Sequence, residues 1–147
     1  MIKEDGAVSI SLCILLSALL GVMSMMFLWL EHQKNSAYYI KNNMMTKNYT
    51  FDLLQEKIRE YQKFKDLWIE DSERAEGKYT FAKAILLEQR VFKDEQNNDI
   101  KCELYIFQDS NNIYTLVGDC QIDDITNQIC VYLEKKDDKC VVKYWER

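Results

Sequence analysis

A run of 24 residues without a charged side chain, Ala7–Leu30, constrains this chain more than any other feature of its sequence. As a helix it is long enough to cross the hydrocarbon core of a bilayer, which is about 30 Å thick. A cleaved secretory signal has a shorter apolar core and a small-x-small cleavage site, and Phe27–Leu30 offers no such site. The sequence therefore predicts a retained transmembrane helix over residues 7–30.

The charged residues lie mostly after this run, and residues 31–147 are predicted to form one water-soluble domain. The net charge is −5, and no cluster of lysines and arginines interleaved with aromatic residues stands out, so there is no strong nucleic-acid signal. One histidine, His32, and four glycines provide neither a catalytic triad nor a glycine-rich phosphate loop. We therefore expect no enzyme activity, no cofactor and no resident metal.

Four cysteines of the soluble part, Cys102, Cys120, Cys130 and Cys140, fall within 39 consecutive residues and are the disulfide candidates. Three pairings are possible if all four bond. Their spacing contains no C-x-x-C, which argues against a zinc site. Disulfides indicate an oxidising compartment, so the cysteines favour an extracytoplasmic domain. The lysines that follow the helix favour the opposite orientation, but the short tail before the helix gives that rule little to act on.

The soluble part begins with helical periodicity and ends with strand periodicity. Residues 31–49 either continue the first helix or break it. Thr50 is predicted to be the N-cap of an amphipathic helix that ends at Gly77. Its core stripe has apolar residues at helical spacing, namely Leu54, Ile58, Tyr61, Phe64 and Trp68.

After Gly77 the apolar residues follow a period of two, although residues 82–89 are equally compatible with a helix. Tyr79, Phe81, Ile85 and Leu87 belong to this segment. Two hairpins are predicted, one turning at residues 109–112 and one at residues 135–138. If the first hairpin has an odd-numbered loop, Cys102 lies opposite Cys120. If the next connection turns near Ile125, Cys120 lies opposite Cys130 instead, and the two pairings exclude each other. The expected fold class is α+β: a long N-terminal transmembrane helix continues into an amphipathic helix, which packs on a small antiparallel β-sheet.

The polar start of the chain, Met1–Gly6, followed at once by Ala7 and the apolar run, resembles the leader of type IV pilins and pseudopilins. In that family a prepilin peptidase cuts after the glycine and the new N-terminal residue is methylated. The resemblance implies a leader over residues 1–6, cleavage between Gly6 and Ala7, and N-methylation of Ala7. Major pilins carry a glutamate where this chain has Ser11. The chain is therefore more similar to minor subunits without that glutamate, such as PilX-like pilins, K-subunits of type II secretion and ComGG-like competence pseudopilins.

This resemblance implies a pilin-like structural subunit of a bacterial type IV pilus, secretion pseudopilus or competence pseudopilus. The implied partners are other pilin or pseudopilin subunits, the prepilin peptidase, the inner-membrane assembly platform and membrane lipid. The expected location is the cell membrane, as a single-pass protein with the domain of residues 31–147 outside the cytoplasm, or the pilus and cell surface. The alternative is an unprocessed, signal-anchored extracellular binding or sensor domain.

Overall fold

The computed structural model describes residues 2–77, 84–95 and 97–146, with side chains from Val8 onward. The predicted positions of Tyr79 and Phe81 lie outside these ranges. The chain divides into two compact units, Met1–Ile40 and Lys41–Arg147. The first is helical throughout its described length, and the second contains helices and a sheet. The fold class is thus α+β, with a long apolar N-terminal helix and a small antiparallel sheet, as the sequence predicted.

Helix α1 spans Ile2–Lys63, so residues 31–49 continue the helix. The predicted N-cap at Thr50 is wrong, because Thr50 is fully buried inside α1 and its hydroxyl donates to the carbonyl of Thr46 at 2.7 Å. The single helix predicted to end at Gly77 is also interrupted. Phe64 is extended, with φ −121° and ψ 92°, and separates α1 from α2 at Lys65–Glu76.

Phe64 was predicted to be a core residue, and this too is wrong, because the bend leaves its side chain 51% exposed. Gly77 does follow the last helical residue, and its N–H donates to the carbonyl of Glu73 at 3.0 Å. The other members of the predicted stripe are buried in the core: Leu54, Ile58, Tyr61 and Trp68. The helical spacing of the apolar residues identified the core residues on both sides of the bend at Phe64, but it gave no sign of the bend itself.

In the part of the chain that the structure describes, five antiparallel strands follow in chain order, each paired with the next. They are β1 Ile85–Lys93, β2 Asp99–Ser110, β3 Ile113–Ile122, β4 Ile125–Lys136 and β5 Lys139–Glu146. Both predicted hairpins are present, and the ambiguous segment at Ile85 is a strand.

Two-residue connections join β2 to β3, β3 to β4 and β4 to β5. Left-handed backbone occurs in each of them, at Asn112, Asp123, Asp137 and Asp138. Asparagine and aspartate tolerate this conformation better than other residues with a Cβ, which makes them suitable for tight hairpins. The adjacent aspartates at residues 123–124 and 137–138 are therefore turn formers.

One face of the sheet, the core face, packs against α2 and residues 41–63 of α1. A Cβ atom added to Gly118 of β3 would lie 2.8 Å from Cγ2 of Thr50 and 3.0 Å from Cγ of Leu54. On α2, Trp68 meets the ring of Tyr114 edge-on with centroids 5.3 Å apart. Helix α1 thus approaches the middle strand so closely that even a methyl group at position 118 would force its neighbours to shift.

Candidate functional site

The N-terminal unit offers an apolar helical surface. Among the described residues, one helix, Val8–Lys63, is long and apolar enough to span a membrane, with an 18-residue window of mean hydropathy 2.3. The large apolar side chains between Val8 and Leu30 are all exposed. Ser17 and Ser24 donate their hydroxyls to the carbonyls one turn earlier, Cys13 at 2.8 Å and Leu20 at 2.9 Å. Their polar groups are therefore satisfied within the helix, as an apolar environment requires.

The backbone at the predicted cleavage site is helical. Gly6 and Ala7 lie in the first turns of α1, and their side chains are outside the described set. Cleavage between them and N-methylation of Ala7 stay predictions.

The structure joins Cys102 and Cys120 in a disulfide. These residues face each other on β2 and β3, which is the first of the two registers left open by the sequence. The second register is wrong because the β3–β4 turn lies at residues 123–124, which places Cys120 opposite Asn127. Both cysteines of the disulfide are fully buried on the core face.

Cys130 and Cys140 are free thiols, each partly buried. Cys130 lies opposite Glu146 and Cys140 opposite Lys135, so they occupy different rows of the β4–β5 ladder. Burial raises the pKa of Cys140 to about 12, and burial together with the charge of Glu146 raises the pKa of Cys130. Both thiols are therefore poor nucleophiles at neutral pH.

The second face of the sheet, the outer face, carries a band of apolar and aromatic side chains. Two neighbouring register rows make up this aromatic band: Phe107, Thr115, Tyr132 and Tyr144 in one, and Leu86, Tyr105, Val117 and Cys130 in the other. Tyr132 stacks on Tyr144 with ring centroids 4.2 Å apart. The central residues of the band, Thr115 and Val117, are buried beneath their neighbours, whereas Tyr144 at its edge is 54% exposed.

Two carboxylates lie beside the band. Glu103 on β2 is directly opposite Asp119 on β3, and we call these residues the acidic pair. Glu103 accepts hydrogen bonds from the hydroxyl of Tyr105 and, at 3.0 Å, from Nε2 of Gln89. Oδ1 of Asp119 is buried without a hydrogen-bond partner among the described residues. Burial, and then the charge of Glu103, raises the pKa of Asp119.

A polar seam connects α1 to β4 on the core face. Nδ2 of Asn127 donates to Oδ1 of Asn43 at 2.9 Å and also to the hydroxyl of Thr46. Thr50 donates to the carbonyl of Thr46, and Asn42 is almost fully buried beside them. The hydrogen-bonded side chains Asn127, Thr46 and Thr50 help to fix how the helix sits on the sheet. Nδ2 of the buried Asn42 has no hydrogen-bond partner among the described residues.

Sequence reasoning did not identify the acidic pair or the polar seam. Helical spacing alone could have suggested the seam, since Asn42, Thr46 and Thr50 recur every four residues on one side of α1. The acidic pair has no such signal, because Glu103 and Asp119 come together only through the register of β2 and β3.

Comparison with protein-family models, with curated proteins and with solved structures finds no match for this chain.

Proposed function

We propose that this chain is a minor pilin-like subunit that joins a type IV pilus, secretion pseudopilus or competence pseudopilus through its apolar N-terminal helix. The observation that carries the proposal is the Gly6–Ala7 junction immediately before a 24-residue uncharged helix. A polar leader would hold the N-terminus in the cytoplasm, and its removal would free the helix to leave the bilayer and pack among other apolar helices.

The C-terminal unit supports this role. It is a small α+β domain in which residues 41–63 of α1 and α2 cover one face of a five-stranded antiparallel sheet. The buried disulfide between Cys102 and Cys120 is suited to a domain on the oxidising side of the membrane. Such a domain would stay exposed while the apolar helix assembles. The proposed role is therefore structural rather than catalytic.

The test is mass spectrometry of the mature N-terminus after co-expression with an active prepilin peptidase. A chain that starts at N-methylated Ala7 is expected. Gly6→Val should block processing, because the leader glycine is what the peptidase is expected to recognise. Gly21→Ala is the matched control, since a Cβ atom there would meet nothing within 4 Å, and it should be processed normally.

An unprocessed chain in cells whose peptidase cuts a known pilin would overturn the proposal. The chain would then be an anchored extracellular binding or sensor domain. A second readout separates processing from assembly: the processed chain should co-purify with filaments sheared from cells, and Gly6→Val should remain in the membrane fraction.

A further inference from the structure

The outer face of the sheet combines an apolar surface with an uncompensated charge. Its edges are open, since Leu86 and Tyr144 at opposite sides of the aromatic band are both about half exposed. Contiguous apolar surface on a small domain marks an interaction site more often than scattered apolar residues do. The helices lie on the core face, so nothing described in residues 41–77 competes for this surface.

The acidic pair gives this surface a negative charge. Like charges directly opposite on neighbouring strands repel each other. No lysine or arginine of the described chain forms an ion pair with Glu103 or Asp119. The lysine nearest along the strand on this face, Lys101, is exposed and lies opposite Gln121. Within the described ranges, the buried Oδ1 of Asp119 therefore lacks both a donor and a countercharge.

The pair and the band are within reach of one ligand. Asp119 is two residues from Val117 on β3, and Glu103 is two residues from Tyr105 on β2, a separation of about 6.8 Å along each strand. A cationic side chain bound at the pair would place its neighbours over the band. Among cations, a guanidinium donates to two carboxylate oxygens at once and stacks on an aromatic ring, which an ammonium group does less well.

We propose that the outer face binds a partner protein through a segment in which an arginine is flanked by apolar side chains. The guanidinium pairs with Glu103 and Asp119, and the flanking side chains cover the aromatic band. Charge complementarity selects this occupant over a second copy of the chain, because each copy is acidic overall, with a net charge of −5. The inference does not depend on cleavage at Gly6, since every residue involved lies in the C-terminal unit.

The experiment uses the full chain, ¹⁵N-labelled in detergent micelles, titrated with the tripeptide acetyl-leucyl-arginyl-leucinamide. Amide shifts should concentrate on residues 103–107 and 115–119. The same tripeptide with citrulline in place of arginine keeps the shape and loses the charge, and it should bind about tenfold more weakly or worse. Asp119→Asn should cause a similar loss, while its fold remains intact because the substitution removes a repulsion.

Glu73→Gln is the matched control, because it removes one exposed carboxylate from α2 and changes the net charge equally. It should bind the tripeptide like the unchanged chain. Equal binding of the citrulline peptide, equal binding by Asp119→Asn, or shifts spread over the whole surface would each overturn the proposal. Concentration-dependent shifts of the outer face without peptide would also overturn it, by showing that a second copy is the occupant.

Discussion

Replacing Gly118 with alanine tests the closest approach between helix and sheet. The added Cβ atom would lie 2.8 Å from Cγ2 of Thr50, and 3.0 and 3.1 Å from Cγ and Cδ1 of Leu54. Carbon atoms in contact prefer separations of about 3.5–4.0 Å. All three contacts are too short, and Thr50 and Leu54 are themselves fully buried, so neither side chain has open space to move into.

The expected loss combines two opposing effects. Overpacking a well-packed core costs about 1–3 kcal/mol. Alanine restricts the unfolded chain more than glycine does, which offsets about 0.4–1 kcal/mol of that cost. We therefore expect Gly118→Ala to lower the free energy of unfolding by about 1–2 kcal/mol, or to lower Tm by about 4–10 °C for a domain of this size.

The assay is urea unfolding of the full chain in detergent micelles, followed by tryptophan fluorescence, since Trp68 is fully buried in the core. Thr50→Ser removes the methyl group that Cβ would meet first and keeps the hydroxyl that bonds to Thr46. The variant that combines Gly118→Ala with Thr50→Ser should therefore have a free energy of unfolding about 1 kcal/mol higher than the sum of the two single changes predicts.

Gly77→Ala is the control for a glycine in open surroundings. Its Cβ would meet the carbonyl oxygens of Glu73 and Arg74 at 3.5 and 4.0 Å, which are ordinary contacts. Its free energy of unfolding should change by less than about 0.5 kcal/mol. If Gly118→Ala is as stable as the unchanged chain, or if Thr50→Ser gives no recovery, the close approach does not limit position 118 and the reasoning is wrong.

Three further changes probe the disulfide, the acidic pair and the buried tyrosine. Replacing both Cys102 and Cys120 with alanine removes a disulfide between residues 18 positions apart. The loss of this cross-link should lower the free energy of unfolding by about 3 kcal/mol. Asp119→Asn should raise it at neutral pH by about 0.2–1 kcal/mol. The pKa of Asp119 is higher in the folded chain than its ordinary value of 3.8, so the unchanged chain loses stability as pH rises from 3.8 through the folded-state pKa. The stabilisation by Asp119→Asn should therefore disappear at lower pH, where the carboxyl group is protonated. Tyr61→Phe removes the hydroxyl that donates to buried Asp71 at 2.7 Å and should cost about 1–3 kcal/mol in urea unfolding.

Each of these three changes has a control or an outcome that would contradict it. Replacing the free thiols Cys130 and Cys140 with alanine opens no loop and should cost clearly less than removing the disulfide, and an equal loss would contradict the loop argument. An unchanged pH dependence in Asp119→Asn would show that this carboxylate does not titrate differently on folding. Tyr144→Phe, at an exposed position, should leave stability within about 0.5 kcal/mol.

The sequence was sufficient for the elements whose signals are local. The turn residues at 111–112 and 137–138 and the stop at Gly77 lie where their chemistry predicted. The core stripe through Leu54 and Trp68 was also correct, because burial on one side of a helix imposes its period on the sequence.

The errors arose where tertiary contacts override local signals. Thr50 has the side chain of an N-cap, but packing against Gly118 and bonding to Thr46 favour its place inside a helix. The bend at Phe64 has no glycine or proline to mark it, and apolar residues on both sides continue at helical spacing. The acidic pair depends on a register that passes through the irregularity between Gln108 and Ser110, and composition carries no information about that register.

The strand order gives the domain a simple route to its native state. Each strand pairs with the one made just before it, and the hairpins after β2 turn in two residues, so most sheet contacts join segments that are close in the chain. Low contact order favours fast folding. The helical segment of residues 41–63 precedes every strand, so a chain delivered from its N-terminus presents the packing surface first. The sheet can then grow one hairpin at a time, and Cys102 meets Cys120 as soon as the third strand is in place.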